Sequence, residues 1–162
     1  MTNLPSKIEC YDISNISGKE AVGSMVVATN GAIDKSQYKR FKIKLESEPN
    51  DFAMMCEVLE RRLTNGLENK AGWTMPDLIV LDGGKGQLSV VRELMQRLNV
   101  VIPTIGLAKK KETIVMLAGD TFEELNLSLD DEGLKLLIRL RDEAHRFAQR
   151  YHHHLRLKKL RV

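Results

Sequence analysis

Aromatic residues are scarce in this chain: one Trp, three Tyr and four Phe make up 5% of 162 residues. That scarcity argues against a protein that holds single strands chiefly by stacking bases on aromatic rings. Long apolar runs are missing too. None approaches the roughly 18 residues needed to cross a membrane, and no charged-then-apolar leader precedes a cleavage site, so a cytoplasmic protein without membrane attachment is expected. Cysteine is nearly absent. Cys10 and Cys56 lack the close spacing of a metal knuckle or redox motif, and reduced thiols are expected.

What remains is an ordinary globular composition, 43% apolar and 29% charged, at a length that suits one core. The chain is expected to be a single domain over residues 1–162, excised from a longer protein. The net charge of +3 hides an asymmetry. Residues 133–162 carry nine Lys/Arg against Asp142 and Glu143, whereas the first 132 residues hold 16 bases and 20 acids. A basic end joined to an acidic body suits a polyanionic partner with an acidic site inside the fold. A solvated helix face would give the same count.

Periodicity orders the elements. Residues 7–14 (KIECYDIS) read as a strand followed by a turn at Gly18, and residues 21–29 (AVGSMVVAT) as a second, ended by Asn30-Gly31. Residues 38–45 (YKRFKIKL) alternate, with Phe41, Ile43 and Leu45 opposite Arg40, Lys42 and Lys44. Asn50 can cap a helix from Asp51 to about Thr64. Residues 66–72 read as a loop. Residues 76–81 (PDLIVL) form an apolar run without alternation, as in a strand buried on both faces. A helix over 86–99, a strand over 104–108, a hairpin strand over 113–117 and a long helix from about Asp131 to Leu157 or beyond complete the chain. Leaving aside the hairpin strand over 113–117, the order is β-β-β-α-β-α-β-α. An antiparallel meander followed by βα crossovers implies an α/β mixed sheet with helices on its faces, the order of the ribonuclease H-like fold.

Four residues carry candidate chemistry. Asp12 lies inside the first strand, where an unpaired carboxylate is costly. Asp82 ends the buried strand at the carboxyl edge where open α/β sheets build sites. These two strands are neighbours in this topology, so the two acids can converge. Asp51 adds a third from the first helical turn. Converging carboxylates need a cation, and oxygen donors select Mg²⁺ or Mn²⁺. Two such ions about 4 Å apart can promote phosphodiester hydrolysis. His145 falls at the edge of the apolar stripe of the last helix, with His152 near the same line two turns on, and can ligate metal or handle a proton. Each has a plainer reading: Asp51 as a favourable acid at a helix N-terminus, Asp82 as a turn residue before Gly-Gly, His145 as a structural histidine.

Residues 82–87 (DGGKGQ) are not a P-loop, because the Lys-[Ser/Thr] spacing is absent. They do set Lys85 and backbone amides at a helix N-terminus, a place for a single phosphate. Arg40, Lys42, Lys109 and Lys110 supply further candidate phosphate contacts, with Arg141 and Arg146 from the last helix.

Six ordered blocks, namely IECYDISNISG from Ile8, YKRFKIK from Tyr38, NDFAMMCEVLERR from Asn50, PDLIVLDGGKGQ from Pro76, IGLAKK from Ile105 and RDEAHRFA from Arg141, resemble the C-terminal endonuclease domain of UvrC, the incision subunit of bacterial nucleotide excision repair. The resemblance spans nearly the whole chain. It implies a ribonuclease H-like fold with metal-binding and catalytic roles on Asp12, Asp82 and His145, and a further catalytic role on Asp51. It also implies a Mg²⁺- or Mn²⁺-dependent cut on the 5′ side of a lesion in double-stranded DNA, with UvrB as partner of the full-length protein. The family's separate nuclease for the 3′ cut, its UvrB-binding segment and its helix-hairpin-helix module have no counterpart in these 162 residues. Two departures stand out. Residues 152–154 are three histidines where the family has His-Arg, and Lys109-Lys110-Lys111 precedes Glu112 where the family often has an acid pair. A neutral His in place of a carboxylate removes one negative charge, so one well-held ion is expected. A ribonuclease H or junction resolvase, and a non-catalytic nucleic-acid-binding scaffold, are the competing readings.

Overall fold

Strand β1, Lys7–Ile16, pairs antiparallel with β2, Glu20–Thr29, in one register from Lys7 opposite Thr29 to Ile16 opposite Glu20. This computed structural model describes residues 3–16, 20–44 and 50–161, so the turn expected at Gly18 and the strand end expected at Leu45 lie outside the described residues. Asn30 and Gly31, at φ 51° and 80°, turn the chain back as a two-residue hairpin requires.

The third expected strand is divided. Ala32–Ile33 forms β3, a 3₁₀ turn covers Lys35–Gln37, and β4 spans only Lys39–Lys42. Both short strands lie along the same edge of β2. Tyr38 stays out of the ladder, and its hydroxyl donates to Glu143 at 2.7 Å.

Helix α1, Asp51–Leu67, begins where expected, with the Asn50 side chain accepting from the Phe52 and Ala53 amides at 3.0 and 3.3 Å. It runs three residues past Thr64, through a glycine that suggested a loop. Gly66 is buried there, and a Cβ on it would lie 2.7 Å from the Met75 sulfur, so close packing rather than propensity keeps it helical. Strand β5, Leu78–Asp82, runs parallel to β1 on the side away from β2. Helix α2, Lys85–Leu98, ends on Asn99 in the left-handed conformation, φ 54°. Strand β6, Thr104–Ala108, is parallel to β5; β7, Thr113–Ala118, and β8, Thr121–Leu125, extend the sheet antiparallel. Strand β8 was not expected, because TFEEL exposes most of its side chains at a sheet edge and only Phe122 packs toward the core. Helix α3, Glu132–Leu160, opens with Asp131 accepting from the Leu134 amide at 2.9 Å.

The sheet order is β3-β2-β1-β5-β6-β7-β8, with β4 also on β2. Helices α1 and α2 cover one face over Tyr11, Met25, Leu59, Ile79 and Leu88. Helix α3 covers the other over Cys10, Val26, Val80, Leu134 and Leu140. This is the ribonuclease H-like mixed sheet flanked by helices. Cys10 and Cys56 are free, and they sit on opposite faces of the sheet. Beneath α1, Glu9 and Arg62 are both fully buried as an ion pair at 2.7 Å.

Candidate functional site

Alternation along β1 sends Ile8, Cys10 and Asp12 toward α3 and Tyr11 toward α1. The β1–β5 ladder pairs Ile8 with Leu78 and continues to Tyr11 with Leu81. One further step brings Asp12 opposite Asp82, and there β5 stops, because Gly83 and Gly84 turn the chain into α2. Gly106 on β6 lets this turn lie close, since a Cβ there would stand 2.5 Å from the Gly83 carbonyl oxygen. Helix α3 then crosses above with Ala144 in the core and His145 beside it. The imidazole Nδ1 lies 3.3 Å from Asp12 Oδ1, and Nε2 lies 2.9 Å from Asp82 Oδ2. Asp12, Asp82 and His145 thus each offer a donor atom within 4.8 Å of the others.

Both acids are withdrawn from water: Asp12 is 8% exposed, and the Asp82 side chain 7%. Burial pushes the Asp12 carboxyl above the usual carboxylate range; His145 opposes this, Asp82 adds to it, Lys109 opposes it and Asp51 adds a little more. Asp82 Oδ1 is buried and has no hydrogen-bond partner among the described residues. Two adjacent acids shielded from water, one with an orphaned oxygen, carry more negative charge than Lys109 beside them offsets. Two hard oxygens and an imidazole nitrogen fit a small divalent cation.

The remaining candidates divide. Asp51 is exposed in the first turn of α1 and borders a cleft of about 240 Å³ that Asp12, Asp82, Gln87 and Lys109 also line. It stands outside the three-donor group. Lys109 leans over the notch, 3.7 Å from Asp82. Lys110 is exposed in the same turn. Arg141 is committed to Glu112 by two bonds and is 12% exposed, so it supports the site rather than offering a free guanidinium. Arg146 pairs with Glu143. Lys85 is exposed and stands 3.8 Å from Glu124 on β8. Arg40 and Lys42 are exposed on β4, two strands from Asp12. A larger apolar groove of about 510 Å³ between α2 and β6–β7 contains none of the acids.

Three features escaped the reading of the sequence. Glu112 anchors Arg141. Gln87 accepts from the Gly84 amide at 3.1 Å and steadies the turn after Asp82. His152 Nε2 meets the Ser14 hydroxyl at 2.8 Å, two residues along β1 from Asp12. A Gln three residues after a helix cap is a recognisable signal; the other two depend on long-range placement.

Residues 1–149 match the family model described as the UvrC RNase H endonuclease domain. The UvrABC system protein C of Dictyoglomus thermophilum is 49% identical over 162 residues, covering 99% of this chain and 26% of that protein. The Methanococcoides burtonii protein of the same name is 46% identical over 160 residues, covering 99% and 26%. The Clostridium tetani protein is 40% identical over 171 residues, covering 98% and 28%. The chain therefore spans about a quarter of the length of the curated relatives it matches. Among solved structures, endonuclease V of Ciona intestinalis in complex with DNA aligns at a TM-score of 0.48 and 23% identity, covering 65% of this chain and 46% of that one. That likeness is too partial to bear on function. The match over most of the chain, together with identities of 40–49% to these relatives, assigns the chain to the UvrC RNase H endonuclease domain family.

Proposed function

We propose that this chain is the domain, residues 1–162 of a longer protein, that hydrolyses a DNA phosphodiester on the 5′ side of a lesion during bacterial nucleotide excision repair. The observation that carries the reading is the meeting of Asp12, Asp82 and His145 at the sheet rim, with Asp12 buried, the Asp82 side chain only 7% exposed and one of its oxygens orphaned. These three side chains would hold Mg²⁺ or Mn²⁺, which supplies the positive charge that polarises a phosphoryl oxygen.

The chain's own groups do the rest. Asp82 Oδ1, free of other partners, accepts a proton from the attacking water. Where His145 does not ligate the cation, it gives a proton to the departing 3′ oxygen, leaving 3′-hydroxyl and 5′-phosphate ends. Asp51, at the cleft mouth, orients water entering from solvent. Lys109 offsets negative charge gathering beside Asp82. The substrate is double-stranded DNA carrying a lesion, met in the cytoplasm, and UvrB is the partner of the full-length protein.

The test is incision of a lesion-bearing duplex with the partner proteins supplied, comparing native and Asp12→Asn proteins with and without Mn²⁺. The 5′ cut should fall by at least a hundredfold in the variant while the 3′ cut persists. Undiminished 5′ cutting by Asp12→Asn refutes the assignment.

A further inference from the structure

Helix α3 outlasts the core it packs on. Its last buried residue is Ala148, and it runs about three turns further, to Leu160. From Ala144 to Val162 the chain has no acid, yet it carries Arg146, Arg150, Arg156, Lys158, Lys159 and Arg161. Among the described residues, Arg146 alone of these meets a carboxylate. A helix face that merely meets water commonly mixes the two signs, because like charges three or four residues apart repel. Lys158 and Lys159 suit the negative end of the helix dipole. Arg156 lies before that last turn, where the dipole gives it little.

These bases do not share one face. Helical spacing sets His145, His152, Arg156 and Lys159 within about 60° of one another around the axis. Two contacts fix where that line faces. His145 Nδ1 lies 3.3 Å from Asp12 Oδ1, and His152 Nε2 lies 2.8 Å from the Ser14 hydroxyl, both on β1. Strand β5 stops at Asp82, so beyond Asp12 the ladder of β1 continues with β2 alone. The line therefore leaves the notch along the rim that β5 leaves open, beside the cleft bordered by Asp12, Ile13, Asp82 and Lys109. Arg150 lies about 140° around the helix from His145, on the side of Tyr38.

Arg156 and Lys159 are exposed at the far end of this line. At 1.5 Å per residue they stand roughly 16 and 21 Å along the axis from His145, too far to touch the phosphate being cut. Each strand of a duplex presents a phosphate about every 3.4 Å of its axis, so these positions suit phosphates several nucleotides away.

We propose that the exposed end of α3 is a duplex-binding arm, in which Arg156 and Lys159 hold the phosphate backbone several nucleotides from the cut. The occupant is DNA because the line begins at His145, so backbone leaving the notch along the open rim meets it. The proposal rests on the nuclease reading, and its test is separable from it. Binding of a labelled duplex of about 25 base pairs to this chain is measured against salt, with thermal melting beside each protein. The native chain is compared with Arg156→Met/Lys159→Met, with the charge-preserving Arg156→Lys/Lys159→Arg, and with Arg150→Met. Methionine keeps a long helix-favouring side chain and removes the charge. The methionine pair should bind about ten- to fiftyfold more weakly at 0.1 M salt, and its plot of log K against log salt should be shallower by about 1.8, the signature of two lost phosphate contacts. The charge-preserving pair and Arg150→Met should keep the native slope. All four proteins should melt together, because both positions are exposed beyond the core. A native slope in the methionine pair would give the arm to some other partner, such as an acidic protein segment, and overturns the proposal. So does an equal loss in Arg150→Met, or no duplex binding by the native chain. Should the methionine pair melt early, the charge-preserving pair decides, and a shallower slope there also overturns it. Cutting by Asp12→Asn would sink the nuclease reading while leaving the binding result standing.

Discussion

Arg141 grips Glu112 with both guanidinium nitrogens, at 2.5 and 3.0 Å, across 29 residues of sequence. Glu112, at φ 52°, closes the turn between β6 and β7 that begins with Lys109, whose amine reaches to 3.7 Å from Asp82. Arg141 also precedes His145 by one helical turn. A single ion pair therefore sets the lysine-bearing turn and the histidine-bearing helix against the same notch.

Removing that clasp should loosen the turn before it unfolds the domain. Arg141→Ala leaves a half-buried carboxylate without its partner and should cost about 1–3 kcal/mol. Arg141→Lys should recover little, because one ammonium cannot replace a two-pronged contact. Amide hydrogen exchange at residues 109–112 should quicken in both variants while β1 and β5 stay protected. Unchanged exchange in that turn would show that Glu112 holds nothing.

A divalent ion should stabilise the domain by binding its folded state alone. At a concentration about 100-fold above Kd the gain is roughly 2.7 kcal/mol, or some 5–10 °C in melting temperature for a chain of this size. Mn²⁺ should therefore raise the melting temperature of the native chain, and calorimetry should count one tight site. Neither Asp12→Asn nor Asp82→Asn should respond. Two tight sites, or an equal rise in all three proteins, would contradict the donor set.

The start of the β1–β5 pairing carries its own pH dependence. Asp77 accepts from the Lys7 amide at 2.8 Å, the Ser6 amide at 3.0 Å and the Ser6 hydroxyl at 2.7 Å. These bonds, the Lys7 amide first, hold its carboxyl below the usual range. A depressed folded value means stability that is present above the unfolded pKa of about 3.9 and lost as pH falls through the folded one. Asp77→Asn should melt below the native chain at pH 7, and the gap should close toward pH 2–3. A gap constant across that range would assign the loss to packing alone.

The buried pair under α1 should behave as a unit. Arg62 donates to Glu9 through Nε at 3.0 Å and through Nη2 at 2.7 Å, and the Tyr11 hydroxyl donates to the same carboxylate. Glu9→Gln or Arg62→Met alone should cost about 3–5 kcal/mol by stranding a buried charge. The double variant should cost clearly less than the two added together. Simple additivity in chemical denaturation would mean that the pair is not coupled.

Legibility followed the range of the interactions. Helix α1 began where Asn50 said it would, because a cap is a contact within three residues. Strand β6 matched the apolar run from Thr104 to Ala108, and β5 the run before Gly83-Gly84. The expectation that the first strand neighbours the Asp82 strand held, because right-handed crossovers leave few places for a parallel strand. Strand β8 was missed because an edge strand buries too little to need an apolar pattern. The third strand was drawn too long and too simple because the contacts that pull Tyr38 toward α3, its hydroxyl to Glu143 and its ring to Phe147, come from residues more than a hundred positions away.

The sequence alone determined most of the elements and their order, the family, and which carboxylates stand in places that are costly without a partner, because these follow from periodicity, capping and block similarity along one chain. Tertiary structure alone decided which charges are spent and which are free. Arg141, Arg146 and Lys85 looked as available as Arg40 when read as letters, yet three meet acids and one lies on an aromatic ring with no acid paired to it among the described residues. Neutralisation depends on which acid the fold brings within about 4 Å, and that distance is fixed by sheet register and helix crossing rather than by neighbours in sequence.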